Sequence, residues 1–264
     1  MKPDYKNWVP KGMVAGLFAG TAAVFALFIA LGASGKILQG TARLICGIVF
    51  GAGTAVLLFF SVWMLALHRA FDYNGKRKLA KKIIDGTAEN VTVPVGGTGL
   101  DVGCGSGALT IACAKRNPGA TMVGCDIWSG TYKAVFSKKR CEDNARAEGV
   151  SNVRFEEGNA IRLPFPDESF DTVTSNYVYH NIAGQDKQKL LLETLRVLKK
   201  GGTFAIHDLM GPERYGDMSA FVRGLKEKGY EEVRLSDTTD GTFMEHKEAA
   251  WLGLAGSTLL TGRK

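Results

Sequence analysis

The distribution of apolar residues divides the chain into two unlike parts. Residues 12–35 and 44–67 contain no charged side chain, and each segment exceeds the roughly 20 apolar residues that a helix needs to cross a bilayer. A short polar connection that contains Lys36 and Arg43 separates them. The pattern therefore predicts a transmembrane helical hairpin over residues 1–70, with spans at about 12–33 and 44–67.

Two other interpretations of these segments stay open. The first could be a cleavable signal peptide with a weak cleavage site at residues 33–35, although its apolar run is longer than usual for such a peptide. Alternatively, the two helices could lie buried in a soluble protein. Helices that are apolar on every side, however, present no polar face to water.

Basic residues flank the predicted hairpin on one side. Lys2, Lys6 and Lys11 precede the first span, and six further basic residues follow the second span between positions 69 and 82. The connection between the spans holds only two. The positive-inside rule therefore predicts an integral protein of the cytoplasmic membrane, with both termini and the following domain in the cytoplasm.

Glycine recurs at every fourth position in both spans, at 12, 16 and 20 and again at 47 and 51. Small residues at this spacing allow helix backbones to approach closely in lipid. They predict either packing of one span on the other or a homodimer through the glycine-rich faces.

A basic juxtamembrane helix is predicted over residues 76–85, within a junction at 71–85. Its apolar residues fall on one face and its lysines elsewhere. The lysines could face anionic lipid headgroups or simply solvent.

Strand and helix patterns alternate in the remaining domain, residues 86–264. Apolar runs at 99–103, 121–127, 152–158, 170–179 and 203–209 are interleaved with helical patterns at 108–116, 132–148 and 187–199. This alternation favours a mostly parallel sheet covered by helices. A helix at 218–228 and two closely spaced strands at 231–237 and 252–262 follow. We predict a Rossmann-like α/β fold, a seven-stranded mostly parallel sheet with an antiparallel edge.

The charge distribution argues against a nucleic-acid partner despite a net charge of +7. Residues 1–85 carry an excess of eight positive charges, whereas residues 86–264 sum to −1. A domain that binds nucleic acid usually carries the basic patch itself. The five cysteines form no C-x-x-C pair, so neither a metal site nor a disulfide framework is predicted.

A glycine-rich turn follows the first strand of this domain. Glycines at this point let the backbone approach a ligand, and the N-terminus of the next helix offers free N–H groups. Asp126 ends the second strand, where a carboxylate suits ribose hydroxyls. Gly103, Gly105 and Ala108 also fit a dinucleotide fingerprint, so a nicotinamide-dependent oxidoreductase stays open.

Four segments occur in a characteristic order: LDVGCGSG at 100–107, GCDIW at 124–128, GNAIRLPFPDESFDTV at 158–173 and LRVLKKGGTFAIHD at 195–208. Together they resemble the class I methyltransferases that use S-adenosylmethionine (SAM). The resemblance is closest to the small-molecule branch that includes enzymes of quinone biosynthesis. It covers about residues 76–264 and is strongest over 98–209, and the apolar hairpin is not part of the family pattern.

The resemblance implies a SAM pocket at the glycine turn. Asp126 would bind the ribose, Ile127 would contact the adenine, and Asn159 would lie at the adenine edge, where the family commonly has Asp. Ala160 would lie beside Asn159, and Asn176 would approach the methionine end. The methionine part itself would be held by Asp101 and by the backbone of the turn, which consists of Gly103, Cys104, Gly105, Ser106 and Gly107.

Methyl transfer from a sulfonium needs positioning and needs a base only if the acceptor holds a proton. His180, just after the fourth strand, is the first candidate for a catalytic base. The second choices are Tyr177, Tyr179 and Asp208. The nucleic-acid branch carries Asn/Asp-Pro-Pro-Tyr at residues 175–178, and this chain has Ser-Asn-Tyr-Val. Methylation of nucleobase amines is therefore not expected.

The sequence thus predicts a membrane-anchored methyltransferase that acts on a small, lipophilic or membrane-associated acceptor, such as a quinone precursor or a lipid headgroup. A membrane protein that binds SAM without catalysis stays open. The acceptor, the methylated atom, the need for a base and the oligomeric state are not given by the sequence.

Overall fold

The computed structural model describes residues 2–128 and 136–264. The chain forms two compact units. One is Lys6–Ala80, and the other joins the residues up to Tyr5 with Lys81–Lys264. We call them the hairpin unit and the methyltransferase-like unit.

Two long helices form the hairpin unit. Helix α1, Lys11–Leu27, continues as a π-helical segment at Phe28–Ala33, and helix α2 spans Gly40–Phe71. Both are long and apolar enough to cross a membrane by length and composition. Helix α2 begins four residues before the predicted span because residues 40–43, which include Thr41 and Arg43, form its first turn. There the Arg43 guanidinium donates hydrogen bonds to the Gly32 and Ala33 carbonyls at 3.0 and 2.8 Å.

The two helices touch where small residues face each other. A Cβ on Gly32 would lie 2.5 Å from the Cα of Gly47, so only glycine permits this approach. Gly51 lies against the Phe28 ring, and the hydroxyls of Thr21 and Ser61 share a buried hydrogen bond of 2.9 Å. Packing between the spans is therefore confirmed at Gly47 and Gly51.

The stripe at Gly12, Gly16 and Gly20 behaves differently. Within the described residues, a Cβ at any of the three would meet nothing within 4 Å. The expectation that this stripe packs on the other span is therefore wrong.

The open end of the hairpin is held by the residues that precede α1. The Asn7 amide donates to the His68 carbonyl at 2.7 Å, and a ring nitrogen of His68 lies 2.7 Å from the Val9 carbonyl oxygen. Trp8 packs on Phe71 with ring centroids 5.1 Å apart.

A seven-stranded sheet with the order β3-β2-β1-β4-β5-β7-β6 forms the centre of the methyltransferase-like unit. Strands β1 to β5 are parallel, and β7 pairs antiparallel with both β5 and β6. The Rossmann-like prediction is confirmed, with β7 lying inside β6. The strands are Thr98–Val102, Thr121–Asp126, Val153–Glu157, Phe170–Asn176, Leu198–Leu209, Glu231–Asp237 and Ser257–Arg263.

Helices cover this sheet, and most predicted helices are present. Helix α4 has the predicted bounds, and a 3₁₀ turn at Tyr179–Asn181 follows β4. The helices of this unit are α3 Leu79–Ala88, which begins at the boundary between the units, α4 Ala108–Arg116, α5 Lys138–Ala147, α6 Lys187–Arg196, α7 Pro212–Tyr215, α8 Met218–Glu227 and α9 His246–Trp251.

Several element boundaries differ from the predictions. Strand β4 ends at Asn176 rather than 179, helix α6 ends at Arg196 rather than 199, and strand β7 begins at Ser257 rather than 252. Helix α3 begins and ends three residues later than predicted. Helix α5 begins at Lys138 after the Ser137 N-cap, and the first four residues of the predicted helix at 132–148 lie outside the described residues. Strand β5 begins at Leu198 because that residue pairs with Phe170, before a register shift that takes up residues 199–202.

Candidate active site

The carboxyl ends of β1, β2, β4 and β5 meet at one edge of the sheet, and most predicted site residues lie there. The loop between β1 and α4 turns through Gly103, Gly105 and Gly107, whose φ angles are 74°, 56° and 82°. This left-handed region favours glycine, which lacks the Cβ that makes it costly. The loop is anchored to β2, since the N–H groups of Gly103 and Cys104 donate to the Cys125 carbonyl at 2.7 and 3.1 Å.

The cofactor loop, residues 103–107, is open at one glycine and closed at another. Among the residues that the structure describes, the nearest atoms to a Cβ on Gly105 would be those of the Phe136 ring, 4.0 Å away, so these residues leave space over Gly105. A Cβ on Gly103 would lie 2.3 Å from the Val178 side chain. Cys104 and Ser106 are buried, so the space is bordered mainly by loop backbone around Gly105.

Asp126, at the end of β2, holds the open part of this loop. One carboxylate oxygen accepts the Gly105 N–H at 2.9 Å, and the other accepts the Trp128 N–H at 2.9 Å. The indole N–H of Trp128 donates to the Gly105 carbonyl at 3.0 Å. A carboxylate offers about four acceptor positions, so Asp126 retains capacity for two ribose hydroxyls.

Asp101 lies in β1, two residues before the loop. It is 1% exposed and accepts a hydrogen bond of 2.6 Å from the Thr110 hydroxyl. Burial raises the pKa of Asp101 to about 7, helped by the nearby Asp126 carboxylate and opposed by the Thr110 bond. The structure thus shows Asp101 joined to the first turn of α4, and its contact with the methionine part stays a prediction.

The predicted adenine edge follows β2 and β3, which are neighbours in the sheet. The Asn159 side chain is exposed, and its carbonyl accepts the Ile161 N–H at 2.9 Å. Ala160 is buried. Ile127 and Ile161 are about half exposed and follow the two strands, so Ile161 is an apolar candidate that the sequence reasoning missed.

His180 lies in the 3₁₀ turn after β4 and is paired with a buried acid. Its Nδ1 lies 2.5 Å from one Asp208 oxygen, and the ring is 18% exposed. The other Asp208 oxygen accepts the N–H groups of Tyr179 and His180 at 2.8 and 3.3 Å. Burial raises the pKa of Asp208, but the bond and charge of His180 and the Leu209 N–H together hold it below its usual range.

This geometry assigns the ring proton of His180. An ionised Asp208 only accepts, so Nδ1 carries a proton, and Nε2 is the nitrogen that could take one from an acceptor. The His180 side chain is 18% exposed whereas that of Asp208 is fully buried, so His180 is the member of the pair that a substrate could reach.

Tyr177 has a different environment from His180. Its hydroxyl shares a 2.6 Å hydrogen bond with Ser257, and burial raises its pKa well above the usual range. A buried phenol with a raised pKa is a poor proton acceptor at neutral pH. The geometry favours His180 over Tyr177 as the base.

Asn176, the last residue of β4, is held by a buried histidine. Its side-chain oxygen lies 2.8 Å from Nδ1 of His207, whose Nε2 lies 2.9 Å from the Thr238 hydroxyl. Burial lowers the pKa of His207 to about 3, so this ring is neutral. His207 stands in strand β5 and is fully buried, and its partnership with Asn176 was not predicted.

Residues far from the motif also hold the loop. The Asn144 amide donates to the Ser106 carbonyl at 2.9 Å, and the Ser106 hydroxyl donates to the Tyr5 carbonyl at 2.8 Å. No local sequence signal marks these contacts, since they join residues 38 and 101 positions apart. Among the residues that the structure describes, no group of three or more His, Cys, Asp or Glu side chains could hold a metal ion.

Residues 100–206 match the family model for a methyltransferase domain. Demethylmenaquinone methyltransferases of Bacillus licheniformis and Thermus thermophilus are 37% and 32% identical over 141 and 148 residues. These alignments cover 53% and 56% of this chain and 56% and 61% of the relatives. The chain thus spans somewhat more than half the length of these two relatives.

Solved structures share the fold at low identity. The cyclase SpnF superposes with a TM-score of 0.54 at 22% identity, covering 73% of this chain and 85% of that chain. The phosphoethanolamine N-methyltransferase 2 of Haemonchus contortus, solved with S-adenosylhomocysteine, has a TM-score of 0.50 at 16% identity, covering 71% and 53%.

These comparisons favour the methyltransferase resemblance over the dinucleotide-binding alternative. The glycine loop, the space over Gly105 and the carboxylate of Asp126 fit a nucleoside cofactor of this kind. Over residues 100–206 the chain is therefore similar to methyltransferase domains, on a Rossmann-like sheet, and the cofactor that this resemblance fits is SAM.

Proposed function

We propose that the protein is a membrane-anchored enzyme that transfers a methyl group from SAM to a lipophilic acceptor in or at the cytoplasmic membrane. The observation that carries this proposal is the loop around Gly105, with open space over it and Asp126 beside it, in a chain that also contains two bilayer-length apolar helices.

The cofactor would lie over the Gly105 backbone. Asp126 would accept hydrogen bonds from the ribose hydroxyls, and Ile127, Asn159 and Ala160 would border the adenine. SAM supplies an electrophilic methyl group on a sulfonium sulfur. The chain's residues supply the alignment, which can contribute ~7–11 kcal/mol to lowering the barrier.

His180 would remove a proton from the acceptor when the acceptor carries one at the attacking atom. The Nε2 lone pair is available because Asp208 holds Nδ1 as a donor. A positioned base of this kind contributes about 10²–10⁴-fold in rate. A phenol, an enol or a similarly acidic group fits this requirement best.

The character of the hairpin supports a lipophilic acceptor. In the most apolar stretches of the two long helices only 11% and 6% of the residues are buried. The core helix of a soluble protein, in contrast, is mostly buried. A membrane tether keeps the enzyme at the surface where prenylated or acylated compounds partition. The names of the relatives, demethylmenaquinone methyltransferases, agree with a quinone precursor.

The division of the chain into two units supports the proposed membrane orientation of the hairpin. This unit contains residues on both sides of the hairpin in sequence, up to Tyr5 and from Lys81 onward. Both ends of the hairpin would therefore lie on one side of the membrane. The basic flanks and the lysines of the junction favour the cytoplasmic side.

The glycines of α1 supply a candidate dimer contact. Among the described residues, nothing lies within 4 Å of the position that a Cβ would take on Gly12, Gly16 or Gly20, and this spacing suits close helix contact in lipid. We expect Gly16→Leu to reduce a homodimer measured by crosslinking in bilayers. Gly32→Leu should instead disrupt the hairpin itself, and unchanged crosslinking of Gly16→Leu would contradict the dimer.

The test of function uses the full chain in lipid nanodiscs with methyl-labelled SAM. We expect a prenylated phenolic acceptor to be methylated at a higher kcat/KM than the same headgroup without its tail. Asp126→Ala should abolish the label, and Asp143→Asn, which removes a surface carboxylate away from the loop, should not. Binding of SAM with no labelled product from a total lipid extract would support the alternative of a non-catalytic SAM-binding protein.

A further inference from the structure

We propose that the residues preceding the hairpin form a strap, residues 2–5, that positions the cofactor loop for SAM. In the sequence these residues look like a flank of the membrane anchor. In the structure they belong to the methyltransferase-like unit. The inference rests on the proposed SAM site at Gly105.

The first contact joins the strap to the loop itself. The Ser106 hydroxyl donates a hydrogen bond of 2.8 Å to the Tyr5 carbonyl. Ser106 and Tyr5 are 6% and 7% exposed. A buried hydroxyl that loses its acceptor is left unsatisfied at a cost, so the Ser106 conformation depends on the strap.

The second contact is a bridge through a single amide. Asn144 accepts the Asp4 N–H at 2.7 Å and donates to the carbonyls of Asp4 and Ser106 at 3.2 and 2.9 Å. Asn144 is 3% exposed. One side chain of α5 therefore holds the strap and the loop together.

Two further side-chain hydrogen bonds join the strap to helix α5. Arg140 donates to the Asp4 carboxylate at 2.8 Å, and the Tyr5 hydroxyl donates to Glu148 at 3.1 Å. Arg140, Asn144 and Glu148 all lie on or at the end of α5. Asp4 and Tyr5 of the strap are thus both bonded to this helix.

The loop requires such support because its own residues provide little. Gly105 has no side chain, and its conformational freedom must be removed before its backbone can meet a ligand. The strap and α5 remove that freedom from the following residue, Ser106. By thermodynamic reciprocity, a strap that strengthens SAM binding must itself be strengthened by SAM to the same extent.

The main experiment measures SAM affinity by calorimetry on the full chain in nanodiscs. Deletion of residues 2–5 should weaken SAM binding by about fivefold to twentyfold. Ser106→Ala should weaken it in the intact chain and add little in the deleted one, because both changes remove the same bond. Asp143→Ala is the matched control, since this neighbour of Asn144 bonds Lys139 and Arg146 instead.

A second measurement needs no variant. Hydrogen exchange of the Asp4 amide, which is bonded to Asn144, should slow about fivefold to twentyfold when SAM saturates the wild-type protein. This readout decides the question if the deleted chain does not fold. Exchange unchanged by SAM, or a folded deletion that binds SAM with wild-type affinity, overturns the strap.

Failure of the strap and failure of the SAM site give different results. If Asp126→Ala weakens SAM binding and deletion of residues 2–5 does not, the strap alone is wrong. If Asp126→Ala leaves SAM affinity unchanged, the pocket around Gly105 is wrong.

Discussion

The carboxylate of Asp126 offers the most direct test of the site. In the structure it accepts one hydrogen bond from the Gly105 N–H and one from the Trp128 N–H, each at 2.9 Å. Its further lone pairs would accept from the ribose. A hydrogen bond to a charged group contributes about 1.5–3 kcal/mol, which corresponds to roughly 10-fold to 150-fold in Kd.

Two substitutions separate the charge from the geometry. Asp126→Asn keeps one carbonyl acceptor but loses the charge, so SAM should bind about 10-fold more weakly. Asp126→Ala loses every acceptor and the support of Gly105, so the loss should reach about 100-fold. Calorimetry with SAM measures both, with the melting temperature as a check on folding. A folded Asp126→Ala protein with wild-type SAM affinity would refute the site.

The remaining predictions concern the loop, the base and the buried acid. Gly105→Ala should lower the free energy of unfolding by about 1–2 kcal/mol because of the left-handed φ, and it should also weaken SAM binding. Gly103→Ala should lower the melting temperature more, because its Cβ would lie 2.3 Å from a neighbouring side chain. His180→Gln should lower kcat about 100-fold or more with SAM affinity unchanged. Asp208→Asn should also lower kcat, and unaltered turnover of both variants would exclude the base. The pKa of Asp101 is about 7 in the folded protein and 3.8 unfolded, so between these values the folded form holds a proton that the unfolded form releases. The free energy of unfolding should therefore fall as pH rises from 4 to 7. Asp101→Asn should remove this pH dependence of the melting temperature, and an unchanged pH dependence would contradict the buried, protonated acid.

Local patterns in the sequence were sufficient for much of the fold. The bounds of α4 and the alternation of strands and helices along the chain follow from glycine, from apolar runs and from helical periodicity. The burial of His207 could also be anticipated, because it stands in an apolar strand. Each of these features depends on residues close together in the chain.

Features that depend on distant residues could not be predicted. The early start of β5 at Leu198 is set by its pairing with Phe170. Whether the glycine stripe that includes Gly16 contacts helix α2 depends on where that helix packs. The bond of Asn176 to His207 joins two strands. Periodicity reports which face of an element is apolar, but not which partner covers it.

The strap has a consequence for the order of biosynthesis. Asp4 leaves the ribosome ahead of both apolar helices, yet its partner Asn144 follows 140 residues later. The nascent N-terminus must therefore stay undocked until both apolar helices and the first two strands of the sheet have been made. The hairpin unit is an insertion within the other unit, so moving that unit onto a different N-terminal segment requires residues 2–5 as well.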